Sequence, residues 1–168
     1  PKIKAYRNFI KKFDVSPSEQ KAASEALIRI ILSKGRLPDI NNVVDCMNMV
    51  SMRTGLTISA WDKDKIRGDV IIRFSKEGES YTPIGDEEMI LKGGEIIEAD
   101  DEKVLCLIRY RDCQFAMVDR NTKNLLIHIQ GVEGITEKEV RNAREELKKL
   151  ILEFAGGKVV KEDFLKVD

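Results

Sequence analysis

Ile40–Gly85 reads INNVVDCMNMVSMRTGLTISAWDKDKIRGDVIIRFSKEGESYTPIG. Its opening has helical spacing: Ile40, Val43, Val44, Met47 and Val50 share one face. Asp39 can cap this helix, predicted over Ile40–Thr54, and Gly55 stops it. Asn41, Asp45, Asn48 and Met52 fall on a second stripe, so three polar side chains line up beside the apolar face. After Gly55 the pattern changes. Leu56–Trp61 reads as an apolar strand, Trp61-Asp62-Lys63-Asp64-Lys65-Ile66 as a turn, and Asp69–Phe74 and Glu79–Pro83 as strands around Lys76-Glu77-Gly78. A helix feeding short strands in this way specifies an α+β chain.

The flanks agree. Residues 2–13 carry Ile3, Tyr6, Phe9, Ile10 and Phe13 at helical spacing. Ser16-Pro17-Ser18-Glu19 has the form of a capping box with proline at the first helical position. It opens a second predicted helix, with Ala22, Ala23, Ala26, Leu27, Ile30 and Ile31 on the buried face and Gly35 at the end. Further strands are expected at Glu95–Glu98, Val104–Tyr110, Gln114–Val118 and Leu125–Gln130. Thr136-Glu137-Lys138-Glu139 is a second capping box, heading a helix whose apolar face runs from Val140 to Phe154. Lys158–Asp168 reads as a last strand or a packed extension. With no repeat or linker in view, residues 1–168 are expected to form one domain: a helical segment 1–38, a core 39–157 and an extension 158–168.

A chain of 168 residues, 42% of them hydrophobic, can bury a real core. Its 29 basic and 29 acidic side chains cancel. Zero net charge argues against a general nucleic-acid coat and leaves room for one basic face. Cys46, Cys106 and Cys113 are odd in number and form no CxxC pair, so buried thiols of a reducing cytosol are expected rather than a disulfide or a zinc site. No apolar run approaches a membrane span, and no signal peptide is seen, so a cytoplasmic protein off the membrane is expected. No motif for a metal, nucleotide or organic cofactor is present, and none is expected.

From Ile40 to Gln130 the sequence resembles the tRNA-editing domain, B-three/B-four, of the phenylalanyl-tRNA synthetase beta subunit. NNVVDCMN resembles the opening helix of that family, and GLTISAWDKDKIRGDVIIRFSKEGES the stretch after it, with its D-x-D-K turn and K-E-G-E hairpin. EADDEKVLCLIRYRD and RNTKNLLIHIQ resemble the later strands. The order and spacing of these pieces carry the resemblance. It implies a layered sandwich of mixed β-sheet with helices packed on one side. It also implies chemistry on tRNA, namely hydrolysis of a wrongly attached amino acid, in which the protein supplies pocket and orientation while water attacks the ester. The departures are specific. The family's pocket His falls on Ser59, its pocket Glu falls on His128, and its Thr-x-Ala segment has no counterpart. Selectivity against tyrosine therefore does not carry over, and no synthetase activity is expected of this chain alone.

His128 is the single histidine. It reads either as a general base or positioning group for an ester, or as a histidine bonded to a neighbour. Asn48 reads as a pocket amide or as a helix residue satisfying nearby backbone, and Asn41 as structural. Arg109, Arg111 and Asp112 lie where an apolar strand turns polar. They read as a pocket mouth, with arginine for a phosphate or carboxylate and Asp112 for the substrate amine, or as an exposed ion-pair ladder. Gln114 joins them by proximity. Ser59 reads as a pocket hydroxyl rather than a nucleophile, and Trp61 as core. Lys2, Lys4, Arg7, Lys11 and Lys12 read as a solvated helix face or a tRNA-facing stripe.

Two functions follow. One is a freestanding aminoacyl-tRNA deacylase that binds aminoacylated tRNA, with Asn48, Ser59, Asp112 and His128 around the ester, amine and water. The other is a non-catalytic tRNA- or protein-binding module on the same fold. Convergence of Asn48, Asp112 and His128 discriminates between them.

Overall fold

The structure, a computed structural model, describes residues 2–13, 22–108 and 110–166. Its elements in chain order are α1 (Lys2–Lys11), α2 (Ala23–Lys34), α3 (Asn42–Thr54), β1 (Thr57–Asp62), a 3-10 turn at Lys63–Lys65, β2 (Ile71–Phe74), β3 (Glu77–Tyr81), β4 (Met89–Lys92), β5 (Ile96–Ala99), β6 (Val104–Leu107), β7 (Leu125–Gln130) and α4 (Glu137–Phe154). This is the expected α+β layering. Its strand pairings are all antiparallel and fall into three small sheets: β1–β7, β2–β5–β6 and β3–β4.

The ladder of β1 and β7 divides two cores. Side chains alternate across a strand, so Ile58 and Ala60 of β1, with Ile127 and Ile129 of β7, join the helices, where they meet Tyr6, Met47, Val50, Ala143 and Leu147. Trp61 and Leu126 lie on the other face and join Tyr81, Leu91, Ile97, Leu105 and Leu107 from the remaining strands. Trp61 is fully buried, as expected. Truncating a buried tryptophan to alanine costs about 3–5 kcal/mol.

The helix ends show which local signals win. α3 starts at Asn42 and is capped by Asn41, whose side chain accepts from the Val44 amide at 3.0 Å. Asp39 is therefore not the cap, and Ile40, outside the helix and 58% exposed, is not a core residue. Asp45 instead folds back to accept from the Ile40 amide at 3.1 Å. α4 carries its expected capping box, with Thr136 and Glu139 satisfying each other's backbone amides. α2 begins at Ala23 and ends on Gly35 in the left-handed conformation. The capping box expected at Ser16–Glu19 lies outside the described residues.

One expected strand does not form, and the tail, read as a last strand or a packed extension, takes no strand. Residues 114–118 make no strand and instead tie the layers together. The Cys113 amide donates to Leu105, the Gln114 amide to Thr82, and the Asp62 amide to Ala116, at 2.7–2.8 Å. Residues 158–166 are irregular and form no strand, though Glu162 pairs with Lys148 and Arg141 stacks on the Phe164 ring. The sequence reading missed β4, a four-residue strand in the run Met89-Ile90-Leu91-Lys92.

α1 is fastened to the ladder. The Tyr6 hydroxyl donates to the Gln130 carbonyl at 2.6 Å and accepts from the Thr57 amide at 3.0 Å. Thr57 and Gln130 are the terminal rung of β1–β7. Burial pushes the Tyr6 hydroxyl up to about 12, so it stays a donor. Arg7 and Arg29 both bind the buried Glu25, which joins α1 to α2.

Candidate functional site

The face of the ladder that carries Trp61 also carries polar groups. Ser59 of β1 lies directly opposite His128 of β7. In the neighbouring sheet Glu98 of β5 lies opposite Cys106 of β6, and Cys106 makes an isolated bridge to Asp112. The Asp112–Ala116 stretch, held between β6 and β1, brings Asp112 to Ser59. Five side chains from five stretches of chain thus converge: Ser59, Glu98, Cys106, Asp112 and His128.

Electrostatics dominate this cluster. The His128 Nδ1 pairs with Glu98 Oε1, and the Glu98 side chain is 1% exposed against 35% for His128. Burial works to lower the His128 pKa. The hydrogen bond and charge of Glu98, with the charge of Asp112, outweigh it and hold the pKa above the ordinary histidine value. The Asp112 carboxyl is pushed up to about 7, chiefly by burial and also by the Glu98 charge, against the downward pull of the Ser59 hydroxyl, the Cys106 thiol and the Ala60 amide. The Cys106 thiol is raised well above its usual value by burial and by the Asp112 and Glu98 charges, so it is no thiolate nucleophile. One oxygen of each carboxylate, Glu98 Oε2 and Asp112 Oδ1, is buried and has no hydrogen-bond partner among the described residues. Two carboxylates and one imidazole thus lie together at the joint between the sheets.

Three of the residues singled out from sequence, Ser59, Asp112 and His128, meet here. Asn48 does not. It belongs to α3, which packs with Ile58 and Ala60 on the opposite face of the ladder. Arg111 is exposed, donates to the Ile84 carbonyl at 2.9 Å and lies 5.2 Å from the Tyr110 ring. Gln114 is exposed and contributes only its backbone to the joint between layers. Arg109 lies outside the described residues. On α1, Lys2 binds Thr54 and Glu139, Arg7 binds Glu25, and Lys12 binds Glu133, so most of the basic stripe is engaged within the molecule. Sequence reasoning missed Glu98 and Cys106. The signal for Glu98 is present in Ile96-Ile97-Glu98-Ala99, a lone carboxylate in an apolar strand. All three cysteines are free and buried. Among the described residues no group of three or more His, Cys, Asp and Glu side chains is arranged to hold a metal ion, and no helix is long and apolar enough to cross a membrane.

A family model described as the B3/4 domain matches residues 5–156. The chain belongs to the B3/4 domain family. The phenylalanine–tRNA ligase beta subunit of Fusobacterium nucleatum is 33% identical over 111 residues, which is 66% of this chain and 14% of that protein. The same subunit of Aquifex aeolicus is 34% identical over 91 residues, 54% of this chain and 12% of the relative. The chain thus spans about one-seventh of the length of the curated relatives it matches. An N-terminal fragment of the phenylalanyl-tRNA synthetase beta subunit from Pyrococcus horikoshii shares the fold, with a TM-score of 0.56 over 67% of this chain and 40% of that one, at 18% identity. Ser59 and His128 face each other across one rung.

Proposed function

We propose that this chain is an aminoacyl-tRNA deacylase, which hydrolyses the ester joining an amino acid to the terminal ribose of tRNA. The observation that carries the reading is the His128–Glu98 pair: a buried carboxylate on Nδ1 of a histidine that still reaches solvent. Glu98 accepts from Nδ1–H and so fixes the tautomer that leaves the Nε2 lone pair free. Nε2 takes a proton from water as the water oxygen bonds to the ester carbonyl carbon. The carbon–oxygen bond to ribose then breaks, and Nε2–H returns the proton to the departing ribose oxygen. The products are free amino acid and tRNA. Asp112, titrating at about 7, offers a carboxylate to the substrate's ammonium group, and an arriving cation would draw it to its charged form.

The test is deacylation of a panel of mischarged aminoacyl-tRNAs by the native protein and by His128→Ala. Hydrolysis of one or two species, slowed at least tenfold in the variant, supports the reading. Hydrolysis equal in both proteins removes His128 from the chemistry. The absence of hydrolysis for every species favours the second reading, a binding module. The position of Asn48, on the far face of the ladder from His128, is the observation on that side.

A further inference from the structure

β2 is the outer strand of the β2–β5–β6 sheet, and among the described residues no strand pairs with its far side. Three of its four side chains are nevertheless large, apolar and exposed: Ile71 by 50%, Ile72 by 58% and Phe74 by 60%. Both faces share this exposure. Ile72 and Phe74 stand opposite Glu98 and Ile96, on the face of the candidate site, and Ile71 and Arg73 stand opposite Ala99 and Ile97, on the core face.

Edge strands are commonly shielded by a free charge, a proline or a bulge. β2 contains no proline, and its ladder with β5 runs without a bulge. Its one charged side chain, Arg73, is spent inside the molecule. Both terminal nitrogens bind Glu79, at 2.8 and 2.6 Å, and one of them also donates to the Phe74 carbonyl at 3.1 Å. The backbone edge is open as well. The Ser75 amide donates inward to the Glu95 carbonyl at 2.7 Å. Antiparallel pairing alternates, so Arg73 and Ile71 also turn their amides and carbonyls to β5, and Ile72 and Phe74 turn theirs to the free edge.

Charge selects the occupant of this edge. Asp69 and Lys76 flank β2 at its two ends, both exposed, and neither enters an ion pair among the described residues. Lys161 lies within electrostatic reach of Asp69 but pairs with Asp163 at 2.9 Å. A strand with a free acid before it and a free base after it is complementary to its own antiparallel copy.

We propose that two copies of this chain associate through β2, antiparallel, about a two-fold axis normal to the sheet and centred on Ile72. Such an axis keeps each face on its own side, so side chains of one face meet only their like. Centring on Ile72 sets Ile72 against Ile72 of the second copy, Val70 against Phe74 and Ile71 against Arg73, and it brings each Asp69 end to the other copy's Lys76 end. Centring on Arg73 sets Arg73 against itself and Asp69 against Glu77, two like-charge pairs, and is disfavoured. The contact is isologous and closes at two copies. It joins both three-stranded sheets into one of six strands and leaves no open edge at β2. Because Glu98 stands opposite Ile72, the two Glu98 backbones come within three strand spacings, about 14 Å, on one face of the joined sheet. The inference stands on β2 alone and does not depend on the reaction performed at His128.

The experiment is sedimentation velocity from low micromolar to several hundred micromolar protein, with thermal melting to verify that each variant is folded. Native protein should move from monomer to dimer over this range and go no further. Ile72→Lys places a charge at the axis and should weaken association at least tenfold. Ile72→Pro removes an amide that β5 does not use and should act likewise without adding charge. Ile90→Lys, at an exposed position of β4, should associate as native protein does. Asp69→Lys and Lys76→Asp, which lie outside the strand and leave its ladder with β5 intact, should each weaken the dimer at least threefold, and the double variant should restore it. Native protein that stays monomeric, a dimer indifferent to both Ile72 variants, an equal loss in Ile90→Lys, or a double variant no stronger than the single ones overturns the proposal.

Discussion

Glu98 and His128, distant in sequence and on strands of different sheets, are joined through Nδ1 in the space between the two layers. A carboxylate that is 1% exposed is stable there only because its partner can be a cation. Glu98→Gln keeps the shape, removes the charge and weakens the control of the tautomer. We expect deacylation by this variant to fall at least tenfold. His128 is partly solvated, so the stability loss should stay at about 1–3 kcal/mol, read from urea unfolding.

The raised Asp112 and His128 values set a stability profile. A carboxyl that titrates at about 7 when folded, and near 4 when unfolded, binds more protons in the native state across that interval. Stability therefore falls as pH rises through it. Glu79 and Glu139, lowered to about 2, act in the opposite sense, but only below pH 5 or so, where the unfolded carboxylates begin to protonate. His128, raised when folded, adds to the decline above the ordinary histidine value. The urea midpoint should drop between pH 5 and 7 by the equivalent of about 3 kcal/mol, and Asp112→Asn should flatten that drop.

The rate should follow the same proton. A base works only when unprotonated, so deacylation should rise with pH and level off above the ordinary histidine range. In Glu98→Gln the inflection should move down, because the charge that raises it is gone. A pH–rate profile with no inflection attributable to His128 would remove it as the base.

The capping assignment can be checked at α3. Asn41→Ala should cost about 1 kcal/mol, because the Val44 amide loses its acceptor. Asp39→Ala should change stability by less than about 0.5 kcal/mol, as expected of a surface residue without such a role. Chemical denaturation of both variants gives the comparison.

Much of the fold was legible because local signals were strong. Leu125, Ile127 and Ile129 share one face, and Leu125–Gln130 forms β7 with those bounds. Thr136 and Glu139 have the spacing of a capping box, and they make one. Asp39 misled because two candidate caps stood close together, and only the path of the chain into α3 decides between them. Residues 114–118 have the composition of a strand but are bonded in turn to Thr82, Asp62 and Asn41, so no ladder forms. β4 has only four residues and needs β3 to be recognised.

The site was half legible. His128 and Ser59 stood out as departures from a familiar pattern, and Asp112 as the point where an apolar strand turns polar. That they meet depends on the β1–β7 register and on the Cys106–Asp112 bridge, which are properties of the folded sheets rather than of any one stretch. Glu98 escaped notice because a buried acid is identified by its partner, here thirty residues away in sequence. Asn48 misled because a polar stripe on a helix says nothing about which face of a neighbouring sheet the helix covers.

The Tyr6 hydroxyl closes the rung between Thr57 and Gln130, at the end of the ladder opposite Asp62 and Leu125. α1 is therefore part of the frame and not an appendage to it. A protein engineer who cuts or grafts this unit at the start of α2 would leave the Gln130 carbonyl and the Thr57 amide without that partner and strip Glu25 of Arg7. A graft that carries Lys2 onward keeps the frame closed, and with it the register that sets Ser59 against His128.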